Sequence, residues 1–191
     1  MNTIPDFKIK AGGKISQACI HRGLLSFHAV SDYILHLQFG RNPDKGDLSS
    51  VFRDNCGTCS TKHALLKELA SENNVQELRL ILGIIKMTAM NTPEISKTLT
   101  KYKLDFLPEA HNYLKYEGRI FDFTKPAFTL GRNEDERLIE TEIRPDQITD
   151  YKVRYHRAYL AEWLGQNPLI PYSESELWEI REQCIRDLSA S

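Results

Sequence analysis

The chain has little with which to staple or anchor itself. Only four of its 191 residues are cysteine, at positions 19, 56, 59 and 184. That is too few for a disulfide scaffold at this length, so free thiols in a reducing, cytoplasmic setting are expected. No run approaches the roughly 18 consecutive apolar residues that a membrane span needs. Met1 to Lys14 is polar and has no apolar core of a secretion signal. Net charge is almost absent: 25 basic residues against 26 acidic give −1. No long-range field therefore draws the chain to nucleic acid or to an anionic membrane. Internal repeats and low-complexity segments are missing too. His21, His28, His36 and His156 form no metal-ligand pattern, and no cofactor is expected.

A hydrophobic fraction of 41% builds a core without metals or disulfides, and the length fits one domain over 1–191. The pattern is α+β. Apolar residues at 24, 27, 30, 34 and 37 predict a helix within Leu24 to Phe39, followed by a loop from Gly40 to Asp47. Ala64, Leu65, Leu69 and Ala70 mark a second helix, from about Ser60 to Glu72. Glu77 to Thr88 is short, aliphatic and partly alternating, which predicts a buried strand. Thr92-Pro93-Glu94 starts a helix, with Thr92 as N-cap. Arg132 to Arg137 reads as a loop and Leu138 to Ile143 as a strand. Helices near Tyr155 to Leu164 and Glu174 to Leu188 form a C-terminal extension from about 150. Tyr151, Tyr155, Tyr159 and Trp163 suggest a packed stripe on the first of these. Lys152, Arg154, His156 and Arg157 suggest a solvated basic face.

His111 to Tyr116 and Arg119 to Thr124 flank Glu117-Gly118 and predict a β-hairpin. With a two-residue loop, Tyr116 pairs with Arg119 and Tyr113 with Asp122. His111 and Asp122 then share a face as diagonal neighbours. A three-residue loop would send Asp122 to the other side.

Asn55-Cys56-Gly57-Thr58-Cys59-Ser60 puts a cysteine where a glycine-containing turn becomes an amphipathic helix. The unpaired N–H groups and dipole of a helix start lower a thiol pKa. The same N–H groups can hold the oxyanion formed when a thiolate attacks a carbonyl. With a later histidine and acid, such a cysteine is a candidate nucleophile. Cys56 precedes the turn and reads as structural, Cys19 and Cys184 as core thiols. Other uses of the motif stay open. Cys56, Cys59 and His63, with His111 as a fourth ligand, make a zinc site conceivable, although no second Cys-x-x-Cys follows. Disulfide exchange by Cys56 and Cys59 would want a strand running straight into the motif.

Three blocks resemble the transglutaminase-like superfamily of papain-fold cysteine enzymes. Gly57-Thr58-Cys59 with the paired leucines after it resembles the family's cysteine helix. Glu109-Ala110-His111-Asn112-Tyr113-Leu114 resembles its histidine strand. Gly118-Arg119-Ile120-Phe121-Asp122-Phe123-Thr124 resembles the strand ending in Asp-Pro-Thr, with Phe123 in place of proline. The likeness covers about residues 51–125. It implies a papain-like fold, with the cysteine helix packed on an antiparallel sheet bearing His and Asp. It also implies a Cys59–His111–Asp122 triad for acyl transfer on a peptide or small amide. Gln38 is a candidate second oxyanion donor. A non-catalytic binding module of the same fold is the alternative the resemblance also allows.

Overall fold

Gly12 and Gly13 open the first helix because Glu72 needs the room, its carbonyl oxygen against Gly12 and its carboxylate against Gly13. In a computed structural model that describes residues 4–126 and 133–189, helix α1 (Lys14–His21) follows these glycines. Glu72 accepts hydrogen bonds at its start from the Ile15 and Ser16 N–H groups, at 2.9 and 2.6 Å. A Cβ on Gly13 would fall 2.2 Å from the Glu72 carboxyl carbon. The cap thus comes from far along the chain, and the sequence gives no local sign of it.

Helix α2 (Phe27–His36) begins later than its apolar pattern, because the Ser26 hydroxyl caps it by accepting from the Ala29 N–H at 3.3 Å. Leu37 is extended and leads into strand β1 (Gln38–Phe39). After the expected loop and the short helix α3 (Ser50–Arg53), strand β2 (Cys56–Gly57) runs parallel to β1, with Gln38 opposite Cys56. Helix α4 (Cys59–Glu72) follows at once.

Strand β3 (Arg79–Thr88) is buried along nearly all its length. A 3-10 turn at Pro93–Ile95 and helix α5 (Ser96–Tyr102) follow. Next come β4 (Phe106–Tyr116), β5 (Arg119–Phe121), β6 (Arg137–Glu142), α6 (Asp150–Gln166) and α7 (Glu174–Ser189). Strand β4 is longer than predicted, because the apolar run reaches back through Leu107. The expected loop at 132–137 begins outside the described residues at Arg132, and Glu134–Glu136 form a 3-10 turn. The strands order as β5-β4-β3-β6, with β4 and β5 antiparallel. Their turn has two residues, with Tyr116 opposite Arg119 and Leu114 opposite Phe121. Glu117 and Gly118 both have positive φ, 47° and 76°, the signature of a type I′ turn whose twist matches the strands.

The described residues divide into two compact units, one of residues 4–82, 112–126 and 141–149, the other of 83–111, 133–140 and 150–189. The first is organised around α4, against which α1, α2, α3 and the 3-10 turn Pro145–Ile148 pack. Leu65, Leu66 and Leu69 are fully buried there, each worth about 2 kcal/mol of hydrophobic transfer. That is the reserve against which the polar residues of the same helix are buried. In the second unit α7 packs on α5 and α6. Leu177, Ile180, Cys184 and Leu188 are its buried face, as their spacing predicts.

Helix α6 departs from its sequence reading. Lys152, His156, Leu160 and Trp163 are the buried residues, while Tyr151, Tyr155 and Tyr159 are only half-buried one position away. The basic face is therefore not solvated as a whole. His156 turns inward, donating from Nε2 to the Pro108 carbonyl at 2.8 Å. Burial drives its pKa down to about 4, with the nearby Glu109 charge pulling the other way. Glu109 is itself buried and bidentate with Arg181. Burial pushes the Glu109 carboxyl up, but the Arg181 charge and hydrogen bonds hold it down to about 2. Arg157 and Arg181 both approach the Trp178 ring, with guanidinium carbons 4.5 and 5.3 Å from its centre.

Candidate active site

Cys59 is the first residue of α4, behind the N-cap Thr58. Its half-buried sulfur is 3.9 Å from the Ser60 hydroxyl. The helix start is fixed by a polar network. The Thr58 N–H donates to Thr61 Oγ1 at 3.1 Å, and Thr61 donates onward to Asn42 Oδ1 at 2.7 Å. Asn42 reaches Asp54 at 3.0 Å and the Cys56 carbonyl at 3.1 Å. The loop before the motif, rich in turn formers, is thus pinned to the helix it precedes.

The first two turns of α4 are also bonded to both arms of the hairpin. Ser60 Oγ donates to Asn112 Oδ1 at 3.1 Å, and the Asn112 amide donates to the Ile81 carbonyl at 3.0 Å. Asn112 immediately follows His111, which is buried in β4. On the other arm, His63 Nδ1 donates to the Cys59 carbonyl and Nε2 accepts from the Phe123 N–H, each at 2.7 Å. These partners fix the neutral Nδ1–H tautomer. Asp122 lies just past the end of β5, with its side chain buried and Oδ1 3.5 Å from His63 Nε2. The same oxygen accepts from the Thr124 N–H at 2.8 Å. Strand pairing in the hairpin ends at Leu114 opposite Phe121, so Asp122 lies one residue beyond the last paired position.

Lys62 is fully buried on the second turn. Its ammonium donates to the Leu37 and Thr124 carbonyls, both at 2.7 Å. Burial lowers its pKa to about 8, while Asp122, Cys56 and Cys59 favour its charge. Gly57 makes room for it, since a Cβ there would come 2.9 Å from Lys62 Cγ. Neither Lys62 nor His63 was assigned this role from sequence, because on a helical wheel both look like ordinary polar positions beside an apolar stripe.

The other thiols separate cleanly. Cys19 and Cys184 are fully buried, and burial pushes each to about 12, with acidic neighbours adding to it. The Cys56 pKa is also raised, first by burial and then by the Asp54 charge. As for zinc, both His63 ring nitrogens already serve backbone groups. No three His, Cys, Asp or Glu side chains gather as a metal would need among the described residues. Gln38 is exposed on β1 and lines a surface groove of about 670 Å³ with Tyr33, His36, Leu37 and Asn55. No helix among the described residues is long and apolar enough to cross a membrane.

Compared with protein-family models, curated proteins and solved structures, the chain matches none. The likeness to transglutaminase-like enzymes therefore rests on the residues described above.

Proposed function

We propose that this chain is a cysteine-dependent acyl-transfer enzyme of transglutaminase-like type with a papain-like fold, acting in the cytoplasm on a peptide or small amide. The Cys59 thiolate attacks the substrate carbonyl carbon. The oxyanion is met by the Cys59 N–H at the helix start, with Gln38 as second donor. The carbon–nitrogen bond breaks as His111 gives its proton to the departing amine. Water or a second amine then loses a proton to His111, attacks the thioester carbon and releases the Cys59 thiolate. Asp122 holds the His111 imidazole in the required tautomer.

One observation carries this reading: the first turns of α4 bond to the immediate neighbours of His111 and Asp122 on the two arms of the hairpin. A binding module that retains the triad residues as struts is the second reading. It is favoured by the use of Asp122 Oδ1 in the Thr124 turn, beside a His63 already locked by backbone.

The test is the pH dependence of Cys59 alkylation by iodoacetamide in wild type, His111→Ala and Cys56→Ala. Fast alkylation well below pH 8, lost in His111→Ala and kept in Cys56→Ala, is the expected result. A thiol titrating near its ordinary pKa of about 8.5 would select the binding module.

A further inference from the structure

A buried lysine at a helix start is locally the wrong residue. Its charge is taken out of water, and it stands at the positive end of the helix dipole. Side chains on a helix lean back toward its N-terminus. The Lys62 stem accordingly crosses Gly57, and its ammonium ends among the segments that converge on the start of α4. Cys59 and Lys62 are three residues apart and share a helix face. A residue that breaks local rules this openly marks a site where another demand prevails.

The two carbonyls it holds indicate that demand. Leu37 is the residue before Gln38, and Thr124 lies two residues after Asp122. We propose that Lys62 is a positioning residue of the Cys59 site. Its ammonium ties the Gln38 strand and the Asp122 segment to the first turns of α4, and, where protonated, presents a positive charge held in place to the thiolate. This rests on the reading of Cys59 as nucleophile. Lys62 takes no proton from substrate and touches no reacting atom; it acts through the groups it holds. The Coulombic support that Asp122 and the two cysteines give to the Lys62 charge is the reciprocal of the same effect.

The experiment is the Cys59 alkylation profile from pH 5 to 10 in Lys62→Met, Lys62→Arg and wild type. All three carry Cys56→Ala, and melting temperatures are measured alongside. In Lys62→Met the inflection should rise by at least about one unit, so that the rate at pH 6 falls about tenfold. The high-pH plateau should stay within about twofold. Lys62→Arg, which keeps the charge, should recover part of the low-pH rate. A merely structural lysine would change the melting temperature and leave the inflection where it was; an unmoved inflection overturns the proposal. Should Lys62→Met fail to fold, Gly57→Ala crowds the Lys62 stem from the backbone side, and the same upward shift is required of it. The two hypotheses fail differently. A wild-type inflection near 8.5 sinks both readings, whereas a low wild-type inflection unchanged in the variants sinks only the role of Lys62.

Discussion

Two regions of this molecule bury charge, and they do so in opposite ways. In the second unit, Glu109 meets Arg181 in a bidentate pair, so each charge has its counter-charge in direct contact. In the first, Lys62 is held by two neutral carbonyls. The first arrangement sets opposite charges in direct contact, and Glu182 adds a second carboxylate to Arg181 at 2.7 Å. The second leaves a cation without a counter-charge among those two bonds, and the groups whose charge would favour it are Asp122, Cys56 and Cys59. Under the proposed function, the second arrangement serves the Cys59 thiolate.

Breaking the Glu109–Arg181 pair should have the largest effect. Arg181→Met strands the Glu109 carboxylate and should cost about 3–5 kcal/mol in urea denaturation, whereas adding Glu109→Leu should recover most of it. A double variant no more stable than the single one would show that the cluster depends on more than the pair. Lys62→Met provides the contrast. Relief of a buried charge opposes the loss of two carbonyl hydrogen bonds, so the melting temperature should move by only about 4 °C or less. A collapse in stability would make Lys62 primarily structural.

The pH dependence of stability separates the regions more finely. Lys62 titrates near 8 when folded against 10.5 ordinarily. Between those values the unfolded chain binds the extra proton, so stability rises with pH there, and Lys62→Met should flatten that rise. In the other region the pKa of His156 is depressed to about 4 from 6.5. Its contribution is complete above 6.5 and is lost as pH falls toward 4, a slope His156→Gln should reduce. Glu109, held to about 2 against 4.5, extends the loss from 4.5 downward. Urea titrations at fixed pH steps would show both windows. Smallest of all, Lys14→Ala removes only the exposed contact with Asp47 at 2.8 Å and should cost under about 1 kcal/mol.

What could be read from sequence was what depends on neighbours along the chain. The period of α7, the aliphatic run of β3 and the Glu117-Gly118 turn are local signals, and each predicts its element. Helix α1 carries no such signal, because its cap is Glu72, 57 residues away. On α6 the tyrosine spacing points one position away from the inward face, which the polar Lys152 and His156 hold beside Glu109. In the candidate site the helix start at Cys59 was legible from its turn and stripe. Its clamps were not, because Asn112, Lys62 and His63 act across separations of 25 to 62 residues.

The close approach of Gly57 to Lys62 has an evolutionary meaning. A side chain at 57 and a long stem at 62 crowd each other, so the two positions are coupled. Homologous chains that change one should change both. Those that lose the lysine lose the crowding at 57, and, if Lys62 supports the thiolate as proposed, their Cys59 equivalents should have higher thiol pKa values.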